Sequence, residues 1–427
     1  MRQHDDTPAD KFKNMSGKLM LNGLRGDRTP RRLFRAPQSL QKRYDVVIIG
    51  AGGHGLAAAY YLAHEQGISN VAVFEQGYIG GGGTGRNTAI IRSNYMTPES
   101  IRFYAESVRL FRDLSVELDF NLFYSERGQY VLLHTDAQLR SARQRAAMST
   151  HFGYPSKVVG PQDVKKKCPG IDLEGGGNYP IVGALYHPSA ATARHDAVAW
   201  AYAGRASAKG VEIHQNTEVV GFRVQNQRVL AVETKRGSVE AGAVLSAVAG
   251  FTPRITTLLG LATPLVIRPL QACVTEPLKP WLDIILGSAQ LQLYLSQTAR
   301  GEIVIGSALD GYELHQTRST LPFVERLAAD LLDLFPFLSE VKVVRQWAGL
   351  CDLSPDSAPI MGMTPIENFY LDAGWGTYGF KATPISGKMM AETIATGRVP
   401  PMIQPFRLSR FQEYDLLDEK GSSSIAH

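Results

Sequence analysis

The apolar positions of the chain fall into two periods, and the places where one gives way to the other mark its elements. Val46-Val47-Ile48-Ile49 is a continuous, β-branched run of the kind that a parallel strand buried on both faces requires. It breaks at Gly50-Ala51-Gly52-Gly53-His54-Gly55. Leu56 to Gln66 then reads as an alanine-rich helix closed by Gly67, and Val71 to Phe74 as a second strand ending at Glu75. Further on, Phe103, Val108, Phe111 and Leu114 recur at helical spacing and predict an amphipathic helix from Ile101 to Leu118. Phe120 to His134 reads as paired strands about Arg127-Gly128, and Asp136 to Met148 as a helix with a basic outer face. A strand ends at Gly183 to Pro188, and a helix begins at Arg194 to Trp200. Val211 to Ile213, Glu218 to Val224, Val229 to Thr234 and Val244 to Val248 are strands, with a turn at Asn226-Gln227. Residues 264–344 carry strand signals at Leu293 to Leu295 and Glu302 to Ile305, and a helix from Pro322 to Leu334. Phe369 to Asp372 is the final strand, broken at Gly374-Trp375-Gly376-Thr377-Tyr378-Gly379 and followed by a helix around Pro384 to Thr396.

The first strand, glycine turn, helix and second strand make a βαβ dinucleotide unit. Gly50 permits the tight turn, Gly52 lets backbone approach a pyrophosphate, and Gly55 lets helix and strand pack closely. Gly53 and His54 occupy the same turn, where free N–H groups and the helix dipole favour phosphate. Glu75, about 20 residues on, suits a ribose 2′-hydroxyl and repels a 2′-phosphate, so the ligand is FAD or NAD and not NADP. The loop Gly77 to Asn87 is rich in glycine, runs into Thr88-Ala89-Ile90-Ile91-Arg92, and lets backbone lie against a large cofactor. Gly374 to Gly379 puts a second helix N-terminus beside a strand tip, as an anionic edge of a flavin would use.

Composition narrows the class. With 427 residues, 44% hydrophobic and 20% charged, the chain is an ordinary globular protein of two or three domains, and no apolar run reaches the roughly 18 residues of a spanning helix. Cys168, Cys273 and Cys351 are dispersed and odd in number, which supports neither a disulfide framework nor a zinc cluster and points to a reducing, cytoplasmic setting. Of the net charge of +5, residues 1–43 hold eleven Lys or Arg against four Asp, +7, leaving −2 for the rest. This basic arm includes Arg31-Arg32 but lacks the apolar segment of an export signal and the acid-poor character of a transit peptide. No stacking aromatics alternate with its charges, so it reads as a subunit contact, not a nucleic-acid binder.

The loop after Glu75 resembles the flavin-contacting loop of the glycine oxidase, sarcosine oxidase and D-amino-acid oxidase superfamily. Asp45 to Leu56, Arg86-Asn87-Thr88 with Ile90 to Tyr95, Arg194-His195-Asp196 with Val198 to Trp200, and Gly374 to Thr377 with Gly379 to Pro384 together resemble the β subunits of heterotetrameric sarcosine oxidases. The resemblance runs from about Tyr44 to Leu416-Leu417-Asp418-Glu419. It implies an α/β fold: a Rossmann-like FAD-binding domain of the D-amino-acid oxidase type, with an interleaved α+β substrate domain. The implied division is an extension over 1–43, an FAD-binding domain from 44–100, 180–262 and 346–395, a substrate and interface domain from 101–179 and 263–345, and a tail over 396–427.

The resemblance also implies noncovalent FAD and covalent FMN, with α, γ and δ partner subunits, tetrahydrofolate on a partner, and neither membrane nor nucleic acid. FAD contacts then fall on Gly50, Gly52, Gly53, His54, Gly55, Glu75, Arg86, Asn87, Thr88, Ile90, Val219, Gly376, Gly379 and Lys381. FMN falls on His195, with Arg194 and Arg318 beside it, and adjacent Asp196 is placed to orient the imidazole. Lys381, Arg92 and Tyr378 form the substrate end, the two cations suiting a carboxylate and a reduced flavin. The chain departs from the family at Gly83, at Arg194, at Phe251 and at Tyr378, where Asn, Lys, His and Gly are usual. The expected reaction is oxidative demethylation of sarcosine or a similar N-methyl amino acid, with FMN passing electrons to oxygen. The alternative is an N-methylglutamate-type dehydrogenase with another acceptor. More remote readings are a tRNA-modifying flavoprotein using the basic arm and a scaffold with a vestigial flavin fold.

Overall fold

The computed structural model describes residues 33–35, 37–288 and 290–419. Most of the basic arm, with Arg31-Arg32, and the end of the tail lie outside the described residues. The apolar run at Val46 becomes β1 (Arg43–Ile49), the glycine turn opens α1 (Gly53–His64), and β2 follows as Val71–Phe74. β1 and β2 are parallel, with Val46 opposite Val71 and Ile49 opposite Phe74. Strand 212–214 runs parallel outside β2, and strands 237–246 and 369–373 continue the parallel sheet on the other side of β1. Val46, Val47, Ile48 and Val73 are almost fully buried, because helices or strands cover the sheet on both faces.

A meander of strands 219–225 and 228–234 folds antiparallel onto strand 237–246. Its turn is at Asn226 and Gln227, which both take positive φ. Strand 360–363 pairs antiparallel with 369–373 and completes this eight-stranded sheet. A second eight-stranded sheet runs in the order 343–353, 266–275, 303–309, 293–297, 285–288, 129–133, 183–187, 157–159. The cofactor-type cavity described below lies where the two sheets approach each other.

Helices α2 (Pro98–Glu117), α3 (His195–Ala208) and α4 (Gly379–Thr396) pack with α1 around the first core. The alanines of α1 make this possible. Ala57, Ala58 and Ala59 are fully buried, and a Cβ added at Gly387 of α4 would lie 2.4 Å from the Ala57 Cβ. Any larger side chain would push the two helices apart.

Two sequence expectations need correction, and one strand carried no sequence signal. The stretch Phe120 to His134 is not a hairpin: strand 125–126 pairs with 191–192 in a small three-stranded sheet, while 129–133 belongs to the second large sheet. The N–H groups of Arg127 and Gly128 both donate to the Ala190 carbonyl, and Gly128 takes φ +73, which turns the chain from one sheet to the other. The closing helix starts at Gly379, not near Pro384, which sits in its second turn and removes the bond to the Phe380 carbonyl there. Strand 266–275 was hidden by Pro269, normally an edge residue. Pro269 pairs only with Leu350 of strand 343–353, beyond the point where strand 303–309 ends, so no ladder donor is missed.

Candidate functional site: a dinucleotide cradle with a cationic end

A cavity of about 430 Å³ takes its floor from both glycine turns. At one end the N-terminus of α1 has no side-chain cap and no acidic residue in its first turn, so its amide dipoles point into the cavity. Gly53 N–H is met by the Thr84 hydroxyl at 2.9 Å, which ties the glycine loop to the helix start. Gly50 has φ +105, and a Cβ there would lie 2.5 Å from the Ala247 carbonyl oxygen; a Cβ at Gly55 would lie 2.1 Å from the Gly50 carbonyl oxygen. Glu75 is fixed from both sides, with Ala51 N–H donating to Oε2 at 3.0 Å and Gly77 N–H to Oε1 at 2.8 Å. Glu75 also lines the cavity, and each carboxylate oxygen can accept more than the one bond it holds here.

The loop after Glu75 is pinned along its length. The Arg86 guanidinium donates to the carbonyls of Gly81 and Gly82, and the Arg86 carbonyl accepts Trp347 Nε1–H at 2.8 Å. Asn87 Oδ1 accepts the Ala89 N–H at 2.6 Å, which stabilises the positive φ of Ala89 and turns Ile90 and Arg92 toward the second sheet. Thr88, Ile90, Val219, Gly376 and Gly379 also line the cavity.

At the far end two cations approach the cavity wall. Arg92 is buried, donates from Nη1 to Asn94 Oδ1 at 2.9 Å, and lies 4.7 Å over the Tyr95 ring. Lys381 is buried in the first turn of α4, with Nζ 3.2 Å from the Thr377 carbonyl and 5.6 Å above the Tyr378 ring. Burial, then the nearby Arg92 charge, holds the Lys381 ammonium well below its ordinary pKa. Tyr378 is packed edge-on to Tyr95 at 5.4 Å, behind the cavity lining.

One wall residue, Asp352, carried no motif. Asp352, at the end of strand 343–353, accepts the Gly374 N–H at 2.6 Å, and burial pushes its carboxyl up to about 7. His54 is held between the Asp372 carboxylate and the Gly379 carbonyl, with its ring edge on Trp375 at 4.6 Å. Apolar-run reading passes over Asp352 because it is a polar position inside a strand, whereas His54 was already placed with the glycine turn.

Gly55 lies behind the lining, while Arg194, His195 and Arg318 lie away from this cavity. His195 is the first residue of α3, half-buried, and its Nδ1 is buried without a hydrogen-bond partner. Burial lowers its pKa, so the ring is neutral near pH 7. Asp196 does not orient it: both carboxylate oxygens are engaged by the Arg194 guanidinium, Oδ1 at 3.0 Å. Arg318 is exposed on the stretch before the helix Leu321–Leu334. Phe251 lines the same cavity, near Val248, where it is adjacent to the dinucleotide turn.

A βαβ cradle, a ribose-type carboxylate and a second glycine turn on the same cavity are the parts of a dinucleotide-dependent oxidoreductase. The chain matches the FAD dependent oxidoreductase family over residues 45–393. It is 41% identical over 387 residues to the sarcosine oxidase subunit beta of Rhodobacter capsulatus, covering 91% of this chain and 93% of that one. It is 43% identical over 406 residues to the subunit of the same name from Rhizobium meliloti, covering 95% and 97%. This protein therefore belongs to the FAD dependent oxidoreductases and, among them, to the family of sarcosine oxidase β subunits. The L-proline dehydrogenase of P. horikoshii superposes with a TM-score of 0.82 at 28% identity, covering 88% of this chain and 100% of that one. The glycine oxidase of Geobacillus kaustophilus shares the fold, with a TM-score of 0.79 at 21% identity over 87% and 99%.

Proposed function

We propose that this chain is the catalytic subunit of a cytoplasmic, multi-subunit amine oxidoreductase that demethylates a small N-methyl amino acid, sarcosine first. The observation that carries this reading is one cavity with a dinucleotide cradle at one end and two buried cations, Arg92 and Lys381, at the other. The FAD fit is local and specific: an α1 N-terminus whose N-cap Gly52 has no side chain and whose Gly53 N–H alone is taken, by Thr84, glycines that admit no Cβ, and a carboxylate pre-set by Ala51 and Gly77. When bound, FAD supplies the two-electron acceptor for the N-methyl C–H bond.

The residues of the chain supply the rest. Arg92 and Lys381 attract the substrate carboxylate in a site of low dielectric, where a charge-assisted pair is strong. Burial and the neighbouring Arg92 charge lower the pKa of the Lys381 ammonium, and a substrate carboxylate beside it would offset that loss. Loss of a hydride from the N-methyl carbon and a proton from nitrogen gives an imine, which water hydrolyses or tetrahydrofolate on a partner subunit intercepts. His195 is the attachment point for FMN, supported by its neutral ring and unpartnered Nδ1, with the Arg194 charge beside it; Arg318 is assigned to FMN on the resemblance alone. Partner subunits of α, γ and δ type are supported by the β-subunit names of the relatives. The division into cofactor segments 44–100, 180–262 and 346–395 and substrate segments 101–179 and 263–345 follows from the same reading.

A second reading keeps the architecture and replaces oxygen by another acceptor and sarcosine by N-methylglutamate; Phe251 in the cavity wall favours it. Acid precipitation of the complex purified with its native partners separates covalent from free flavin. An FMN-sized adduct on the His195 peptide with FAD in the supernatant is the expected result, and all flavin leaving as FAD overturns the His195 assignment. Peroxide formation in air, measured beside dye reduction, decides between the two acceptors.

A further inference from the structure

His54 stands in the glycine turn, lines the cavity, and faces two acceptors at once. Nδ1 is 3.0 Å from Asp372 Oδ2, and Nε2 is 2.7 Å from the Gly379 carbonyl oxygen. A carbonyl only accepts, so Nε2 must carry a proton. At Nδ1 the proton belongs either to the ring or to Asp372. Trp375 Nε1, which can only donate, reaches Asp372 Oδ1 at 2.6 Å, and the Ser386 hydroxyl reaches Oδ2 at 2.7 Å. A carboxyl group with a donor already on each oxygen is favoured as carboxylate, which leaves the proton on the ring.

The pair is also oriented. The Asp372 side chain is 0% exposed and the His54 side chain 13%, so along this cavity wall the carboxylate is the deeper member of the pair and the imidazole the more open one. A cation at the N-terminus of α1 opposes the helix dipole, and the buried carboxylate is what holds it there. We infer that His54 is a permanent imidazolium of the cofactor cradle, clamped between Asp372 and Gly379, whose charge favours the cofactor in its reduced, anionic form. Burial works against this charge, but Asp372 by proximity and hydrogen bond, with the Gly379 carbonyl, carries the ring's pKa above its ordinary value. The same cavity is also lined by the ionisable side chains of Glu75, Arg86, Arg92, Glu218, Arg254, Cys351, Asp352 and Lys381, with the phenols of Tyr78 and Tyr294.

The inference rests on the flavin reading, and its test separates the two. In the complete enzyme, His54→Gln keeps a donor toward Asp372 and removes the charge. The midpoint potential of its noncovalent FAD is expected to fall by about 30 mV or more, a tenfold change in a two-electron equilibrium. An unchanged potential in FAD-replete variant overturns the inference, even if thermal stability drops. Should the variant fail to retain FAD, neutron diffraction from wild-type crystals near neutral pD decides instead: deuterons on both ring nitrogens are expected, and a single one overturns the inference. Wild-type enzyme without FAD would refute the flavin reading alone, since the ring protonation is read independently of cofactor.

Discussion

Gly55 shows how little freedom the cradle leaves to single side chains. Its missing Cβ would meet the Gly50 carbonyl oxygen at 2.1 Å, backbone against backbone. Gly55→Ala is therefore expected to displace α1 from β1 and abolish FAD retention, checked by the ratio of flavin to protein absorbance after desalting. At the other end, Lys381→Met removes a charge-assisted contact worth about 1.5–3 kcal/mol, so kcat/KM should fall on the order of 10- to 150-fold. Asp352 makes a prediction about pH. Its folded pKa of about 7 lies above the ordinary carboxyl value, so the folded chain holds a proton that the unfolded chain has released. Its contribution is thus most favourable in acid and is lost as pH rises from about 4 towards 7. Asp352→Asn keeps an acceptor for Gly374 N–H and should flatten that decline, gaining on the order of 1–4 kcal/mol at pH 8 relative to pH 5. Thermal unfolding of both proteins at the two pH values checks it. The glycines and Glu75 were legible because their spacing follows from backbone geometry. Asp352 and the Asp372 partner of His54 were not, because a buried acid in a strand carries no period and acquires meaning only from residues distant in sequence.

Elements with one apolar stripe or run were legible almost to their ends: β2 is the strand Val71 to Phe74 as read, and the helix expected from Pro322 to Leu334 is Leu321–Leu334. Those whose pattern depends on partners were not. The outer end of strand 343–353 is exposed and shows no alternation, so only its ladder with 266–275 makes it a strand. The tail is also held by partners that sequence does not reveal. Arg410 is fully buried, with Nε 2.8 Å from Asp356 Oδ2 and Nη2 2.9 Å from Oδ1. The same carboxylate accepts Leu417 N–H at 3.2 Å, and Glu419 Oε1 accepts the N–H of Thr97, the N-cap of α2, at 2.7 Å. Removing one member of such a pair strands a buried charge. Arg410→Met should cost about 3–5 kcal/mol in urea unfolding, and adding Asp356→Asn should recover part of that loss.

The molecule as a whole brings two sheets to one cavity, the first giving the cofactor cradle and the second, with the segment after Glu75, closing the substrate end. This union was legible only through family resemblance, since the second sheet is assembled from separated segments whose pairing no local pattern fixes. Among the described residues no helix is long and apolar enough to cross a membrane, and no group of three or more His, Cys, Asp or Glu is placed to hold a metal. The redox chemistry is assigned to the dinucleotide cradle by its glycines, Glu75 and family membership. In the proposed function, substrate identity is set at the cationic end. Anaerobic titration of the purified enzyme with sarcosine, followed by flavin absorbance, tests it most directly. Stoichiometric bleaching of FAD by sarcosine in the wild type, and its loss when Arg92 and Lys381 are both neutralised, is the predicted result. FAD that stays bound and oxidised in the presence of sarcosine and of N-methylglutamate would contradict it.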